Sequence, residues 1–349
     1  MKVTSKNAFG SALAALLAWG VAGCGATPGI GTTTGGGGGT TPASGGATFV
    51  YVIQNPAGGT GEILQFAAGA NGSVAPTATL TAPTGTQVTS VATDSSGQIY
   101  VAGYLPTSSF PVIEVYAAGA SGAATPVRTI NVSDLYSPTA MVVDSAGSLY
   151  TVNPNDGELF VYSSTANGAA TPTRLIAGAL TQLNVSEGVA VDASGNIYVS
   201  SALLNGASAT GAIYVFSSTA TGNVAPMRTI TNASGVFLGV ATDSSGNLYA
   251  TLDTIVSPYT GSIVEYAPGA SGAAMPTRTI AGTATELSTA GGVRVDAAGS
   301  IYVANQIAGA SSYSYVLDEF APSATGNVAP VAALISSSWT NAAPEIAIK

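Results

Sequence analysis

The sequence contains no histidine, one cysteine, and only eight lysines and arginines in 349 residues. Without histidine there is no imidazole ligand for zinc and no imidazole general acid or base. A lone cysteine excludes an intrachain disulfide and a multi-thiolate metal site. With 17 acidic residues and a net charge of −9, the chain lacks the basic footprint that nucleic acid requires, and it has no charge attraction for anionic lipid. Beyond the N-terminus, no run approaches the roughly 18 apolar residues of a spanning helix. No 3.6-residue periodicity appears after the first 25 residues, so the body reads as all-β. Hard cations need only carboxylate and carbonyl oxygens, so a Ca²⁺ site stays open.

Short apolar or alternating runs between turn signals fill the rest, in a composition rich in Gly, Ala, Ser and Thr. Lys2 and Lys6 precede an apolar stretch, Ala8 to Val21, which has the length of a signal-peptide core. It ends in Val21-Ala22-Gly23-Cys24, which resembles the lipobox of bacterial lipoproteins. The resemblance implies a diacylglycerol on the Cys24 thiol and removal of residues 1–23. Gly25, where an Asp would imply retention in the inner membrane, implies the outer membrane or cell surface. An ordinary signal peptide with an incidental Cys24 is the competing reading. Removal of Lys2 and Lys6 would leave six basic residues against 17 acidic ones, a net of −11. Residues 24–47, with five consecutive glycines, read as a flexible tether, and 48–349 as the folded body.

The body is repetitive. Gly188-Val-Ala-Val-Asp192-Ala-Ser-Gly-Asn-Ile-Tyr-Val199 has close copies at Ser90–Val101, Ala140–Val152, Gly239–Ala250 and Gly292–Val303. Their aspartates, Asp94, Asp144, Asp192, Asp243 and Asp296, recur at about 50 residues, the period of a propeller blade. A second motif occurs six times. Phe66, Tyr116, Tyr162, Phe216, Tyr266 and Phe320 are each followed after six residues by glycine (Gly72 to Gly326) and after four more by proline (Pro76 to Pro330). Six copies predict six blades. Each has four strands, a to d from the axis outward: Gly188–Val191, Asn196–Val199, Ile213–Phe216 and Pro226–Ile230 in the clearest repeat. Small residues in strand a suit the crowded axis, and proline opening strand d suits an edge strand.

The first repeat starts at strand b, Phe49–Ile53, whereas Pro344–Lys349 has a strand-a pattern with no blade after it. The C-terminal strand is therefore expected to pair into the first blade and close the ring. The segment Gly188–Val199 and its relatives resemble the NHL repeat of six-bladed propellers over strands a and b, about a quarter of each repeat. The family's continuation after strand b is missing. The resemblance implies the fold and carries over no catalytic residue.

The five aspartates are expected to cap Asp-x-x-Gly turns rather than form a site. Arg128, Arg174, Arg228 and Arg278 fall at one repeat position on strand d. They are expected to shield edge strands and pair with carboxylates such as Glu265, against the alternative of an anion-binding ring. The b–c and d–a loops vary in length and supply the ligand-binding candidates Asn153, Asn155, Asp156, Glu187, Asp253 and Asn305, to which Arg294, the only charge inside a strand-a core motif near the axis, is added. Asn153–Gly157 also reads as an ordinary hairpin turn, and Arg294 meets either an acidic ligand or a neighbouring carboxylate.

Three functions follow from this reading. The first is a non-catalytic envelope binding or scaffold module, expected to be a monomer with no cofactor, held to the membrane through Cys24 and facing an envelope protein or glycan. The second is a Ca²⁺-dependent hydrolase resembling lactonase-type propellers, with Glu187 and Asp253 at the channel mouth. The third is a surface structural or adhesive protein.

Overall fold

In the computed structural model each repeat becomes one four-stranded antiparallel sheet, strands a to d in order from the axis. It describes residues 48–349 apart from 57, 107–109, 133–134, 136–137, 155, 206–207, 234, 255–259, 309–312, 336–338 and 340–344. The leader, the tether with Cys24, Asn155 and Pro344 lie outside the described residues.

Blade 1 is Ile346–Ile348, Phe49–Gln54, Glu62–Ala67 and Ala78–Thr81. Blade 2 is Gln87–Thr93, Ile99–Tyr104, Pro111–Tyr116 and Arg128–Asn131. Blade 3 is Met141–Val143, Leu149–Asn153, Glu158–Tyr162 and Arg174–Ile176. Blade 4 is Val185–Val191, Ile197–Asn205, Ser208–Phe216 and Arg228–Asn232. Blade 5 is Gly235–Thr242, Leu248–Thr254, Gly261–Tyr266 and Arg278–Ile280. Blade 6 is Thr289–Val295, Ile301–Ala308, Tyr313–Phe320 and Ala332–Ile335. Neighbouring a strands touch all the way round, so the chain is an all-β six-bladed propeller.

The ring closes as the two chain ends predict. Val50 pairs with Ile348, Tyr51 with Ala347 and Val52 with Ile346. The core lies between blades rather than within them: Tyr100 and Val115 of blade 2, for example, pack with Met141 and Phe160 of blade 3. Strand a is built from small residues because there is no room at the axis. A Cβ on Gly188 would stand 2.6 Å from the Leu238 carbonyl oxygen of blade 5.

The repeated aspartates are turn caps. Asp192 Oδ1 accepts the Ser194 and Asn196 N–H groups at 2.9 Å, and Asp94, Asp144, Asp243 and Asp296 repeat the pattern. The tyrosine six residues on reaches back to the second oxygen of the same carboxylate, as Tyr150 does to Asp144 at 3.0 Å.

Two features of strand d differ from the sequence reading. Strand d of blade 4 begins at Arg228, two residues after Pro226, because Met227 rather than proline supplies the first N–H to the neighbouring strand. The outer edge is also not left open to solvent. The motif glycine of each following blade docks on it: Gly222 N–H donates to Leu175 O, and Gly222 O accepts from Ala177 N–H. The same parallel bridge occurs at all six junctions, Gly72 on blade 6 included. Those glycines have φ between +61° and +71°, where a side chain would be strained.

The rim arginines also work between blades. Arg174 stacks on Tyr150 of its own blade, with its guanidinium 5.5 Å from the ring centre, and donates to the Tyr150 hydroxyl at 3.0 Å. It donates as well to the Ser218 and Ala220 carbonyls of blade 4, at 2.8 and 3.3 Å. Arg128, Arg228 and Arg278 make equivalent bridges, and Arg278 adds the expected ion pair with Glu265. Blade 6 has Ala332 at this position, and Glu319 takes over the junction by accepting the Gly69 N–H of blade 1 at 2.9 Å. Arg174→Ala should cost about 1–3 kcal/mol of stability, since it strips charge-assisted bonds from two carbonyls of the next blade's c–d loop and a stacked ring. Lysine should not restore it, because one ammonium cannot hold this planar fork of contacts. Thermal melts of the two variants check both statements.

Candidate functional site

Strand b carries the chain from the Asp turns to the opposite face, where the b–c and d–a loops gather. The candidate residues fall into four constellations, one on the axis and three towards that face.

On the axis, Arg294 of strand a in blade 6 lies at the channel. It donates to Glu345 Oε2 of blade 1 at 3.1 Å and to the Met141 carbonyl of blade 3 at 3.4 Å, so one side chain reaches across the ring. Arg294 thus has the neighbouring carboxylate that one of its two readings calls for. Burial raises Glu345 to about 7, against the lowering pull of Arg294 and with the Glu187 charge adding to the rise. Burial also pushes Glu187 of blade 4 upward. Glu345 escaped the sequence reading, although its register on the closing strand places it one blade along the ring from Arg294.

Asp253 ends strand b of blade 5. It is buried, with Oδ1 accepting the Ala290 N–H of blade 6 at 3.1 Å and Oδ2 without a partner. Burial lifts its carboxyl to about 8, so it is largely protonated at neutral pH. The like charge felt at the channel runs between Glu187 and Glu345.

Asn305 is buried at the equivalent end of blade 6. Its amide donates to Glu286 O at 3.0 Å and Asp318 Oδ2 at 2.9 Å and accepts from Ser288 N–H at 3.1 Å. Both N–H donors and the oxygen of that side chain are engaged in holding a d–a loop to a b–c hairpin. Asp318, raised to about 7 by burial, was not singled out from the sequence, because one acid in a strand-c alternation looks like a surface residue.

In blade 3, Asn153 and Asp156 do meet. Asn153 Nδ2 lies 3.3 Å from Asp156 Oδ2 and 3.4 Å from Glu158 Oε2. Among the described residues, no group of three or more His, Cys, Asp or Glu side chains is placed to hold a metal ion.

The relief of this face comes from hairpin length. The b–c ladder of blade 4 continues to Asn205 and Ser208, and that of blade 6 to Ala308 and Tyr313, whereas blade 3 stops at Asn153 and Glu158. Strand b of blade 4 has nine residues against five in blade 3, an extra rise of about 13 Å. The two long hairpins flank blade 5. The chain enters the propeller on the other face, where Thr48 N–H and Phe49 N–H donate to Lys349 O.

No family model matches the chain. No curated protein matches it either. Among solved structures it is similar to a protein of unknown function from Bacteroides caccae, at 12% identity and a TM-score of 0.58. That match covers 86% of this chain and 98% of the other. The WD40 β-propeller domain of Doa1 also matches, at 9% identity and a TM-score of 0.43, over 75% of this chain and 90% of that domain. The first likeness shows the fold alone.

Proposed function

We propose that the protein is a non-catalytic binding module of the bacterial cell envelope, an NHL-like propeller held by lipid on Cys24. Its b–c and d–a face takes up an envelope protein or glycan. The observation that carries this reading is the opposition of the two faces. The chain enters beside Lys349 on the Asp-turn face, and the long hairpins of blades 4 and 6 rise on the other. A tether attached to the first face holds the raised face away from the bilayer. Four Arg–Tyr bridges and six glycine bridges make the ring a stiff platform for those hairpins.

The test is co-sedimentation of the intact protein with isolated envelope fractions, glycan and protein separately. It is repeated after each long hairpin is shortened to the length found in blade 3. Binding that falls at least tenfold on shortening, with the melt unchanged, supports the reading. Equal binding by all forms, or none by the intact protein, sinks it. Radiolabelled palmitate should enter the wild type and not Cys24→Ser.

A further inference from the structure

Strand d of blade 6 lacks the arginine that blades 2 to 5 carry, yet the setting of that arginine is kept. In blade 5 three residues stand in register across the sheet, Tyr249 opposite Glu265 and Glu265 opposite Arg278. Blade 6 repeats the row as Tyr302, Glu319 and Ala332. Only the guanidinium is missing.

In blade 5 that guanidinium is held on every side. Arg278 donates through Nε to Glu265 at 2.6 Å and through Nη2 to the Tyr249 hydroxyl at 3.3 Å. Its central carbon lies 5.6 Å from the Tyr249 ring centre, and Nη1 donates to the Pro322 and Ala324 carbonyls of blade 6. Each partner has a counterpart at the seam between blades 6 and 1. The Tyr302 hydroxyl donates to Asp296 at 3.2 Å, as that of Tyr249 does to Asp243 at 3.4 Å. Gly72 bridges to Leu334 as Gly326 does to Ile280, and Ala70 N–H closes on Ala67 O as Ala324 N–H does on Ala321 O. The Ala68 and Ala70 carbonyls therefore occupy the places of Pro322 and Ala324. Glu319 Oε2 accepts the Gly69 N–H in a solvent-exposed bond, so the carboxylate can be reached from the rim. Burial and the nearby Asp296 charge hold that carboxyl above its ordinary range. Blade 1 is not a second case. It has Ala78 in the row, but Gln65 replaces the glutamate, and Lys349 follows Ile348 where Asp296 follows Val295.

We propose that the seam between blades 6 and 1 docks an arginine side chain of a partner protein, seated as Arg278 is in blade 5. A carboxylate, a tyrosine face and two carbonyls suit a planar guanidinium, whereas the point charge of lysine cannot fill that fork. Val331 and Ile335, exposed on the same strand, offer apolar ground beside the anchor. This site lies on the rim and does not rest on the reading of the raised face.

The experiment is calorimetric titration of the intact protein with N-acetyl-arginine amide and with the lysine amide, beside Glu319→Gln and Ala332→Arg. The arginine compound should half-saturate the wild type at about 1 mM, as a ligand of its size does at ordinary efficiency. The lysine compound should bind at least tenfold more weakly, and Glu319→Gln should weaken the arginine compound at least tenfold while melting as a folded protein. Ala332→Arg supplies the group within the chain, so it should melt higher than the wild type and no longer bind. Equal binding of the two amides, no binding by the wild type, equal binding by Ala332→Arg, or a lower melt of Ala332→Arg overturns the proposal.

Discussion

Removal of Pro344–Lys349 should abolish the cooperative melt and leave an aggregating chain. Strand Ile346–Ile348 is the whole innermost strand of blade 1, and Ile346 and Ala347 are almost fully buried. Its loss uncovers the inner edge of Phe49–Gln54 and opens the packing of Val50 and Val52 against Tyr302 of blade 6. Arg294 loses Glu345 in the same step and is left charged at the axis. One buried Ile is worth about 1.5–3 kcal/mol, and a stranded buried charge about 3–5 kcal/mol. Together these approach the whole stability of an ordinary domain, about 5–15 kcal/mol. A bare strand edge then offers a template for other chains. A peptide spanning residues 339–349, added in trans, should restore the melt by strand addition. A truncated protein that melts and stays soluble like the parent would show that the ring does not depend on this strand.

The protein should melt highest at about pH 4 and lose stability steadily up to about pH 8. Asp253, Asp318 and Glu345 have folded-state values raised to about 8, 7 and 7 by burial. In the unfolded chain such carboxyls titrate near 4. Between those limits the folded state binds more protons than the unfolded one. Stability therefore falls as pH rises through that window and levels off above the folded values. Asp253→Asn keeps the acceptor for Ala290 N–H and removes the charge. It should be close to neutral at pH 4 and stabilising by about 1–3 kcal/mol at pH 8, below the full linkage value because buried sites relax and admit water. Melts at unit pH intervals, wild type against variant, measure this. A flat or rising profile, with the variant destabilised at pH 8, would mean that Asp253 is ionised and held by a cation.

The fold was legible because its determinants are local and repeated. The Asp-x-x-Gly caps, the spaced aromatic, glycine and proline, and a strand missing at one end and spare at the other need no knowledge of neighbours. The candidate site was less so. Asn153 and Asp156 share one turn, and their contact follows from spacing. Arg294 with Glu345, and Asn305 with Asp318, depend on which blade packs against which and how deeply. Sequence distance does not report that. The rim arginines show the same limit: their period was visible, whereas their carbonyl partners lie in the next blade's c–d loop, about 40 residues on.

The pairing of Val50 with Ile348 has a consequence in time. Blade 1 is made first and finished last, since its innermost strand is about 300 residues behind the rest. A chain emerging residue by residue can complete blades 2 to 5 in turn, each handing its outer edge to the next motif glycine. The first sheet must wait, three-stranded, until the final few residues arrive. Closing that longest loop is the slowest contact to form. A chain with this order of assembly stays open until its last strand is in place, and then locks in one step.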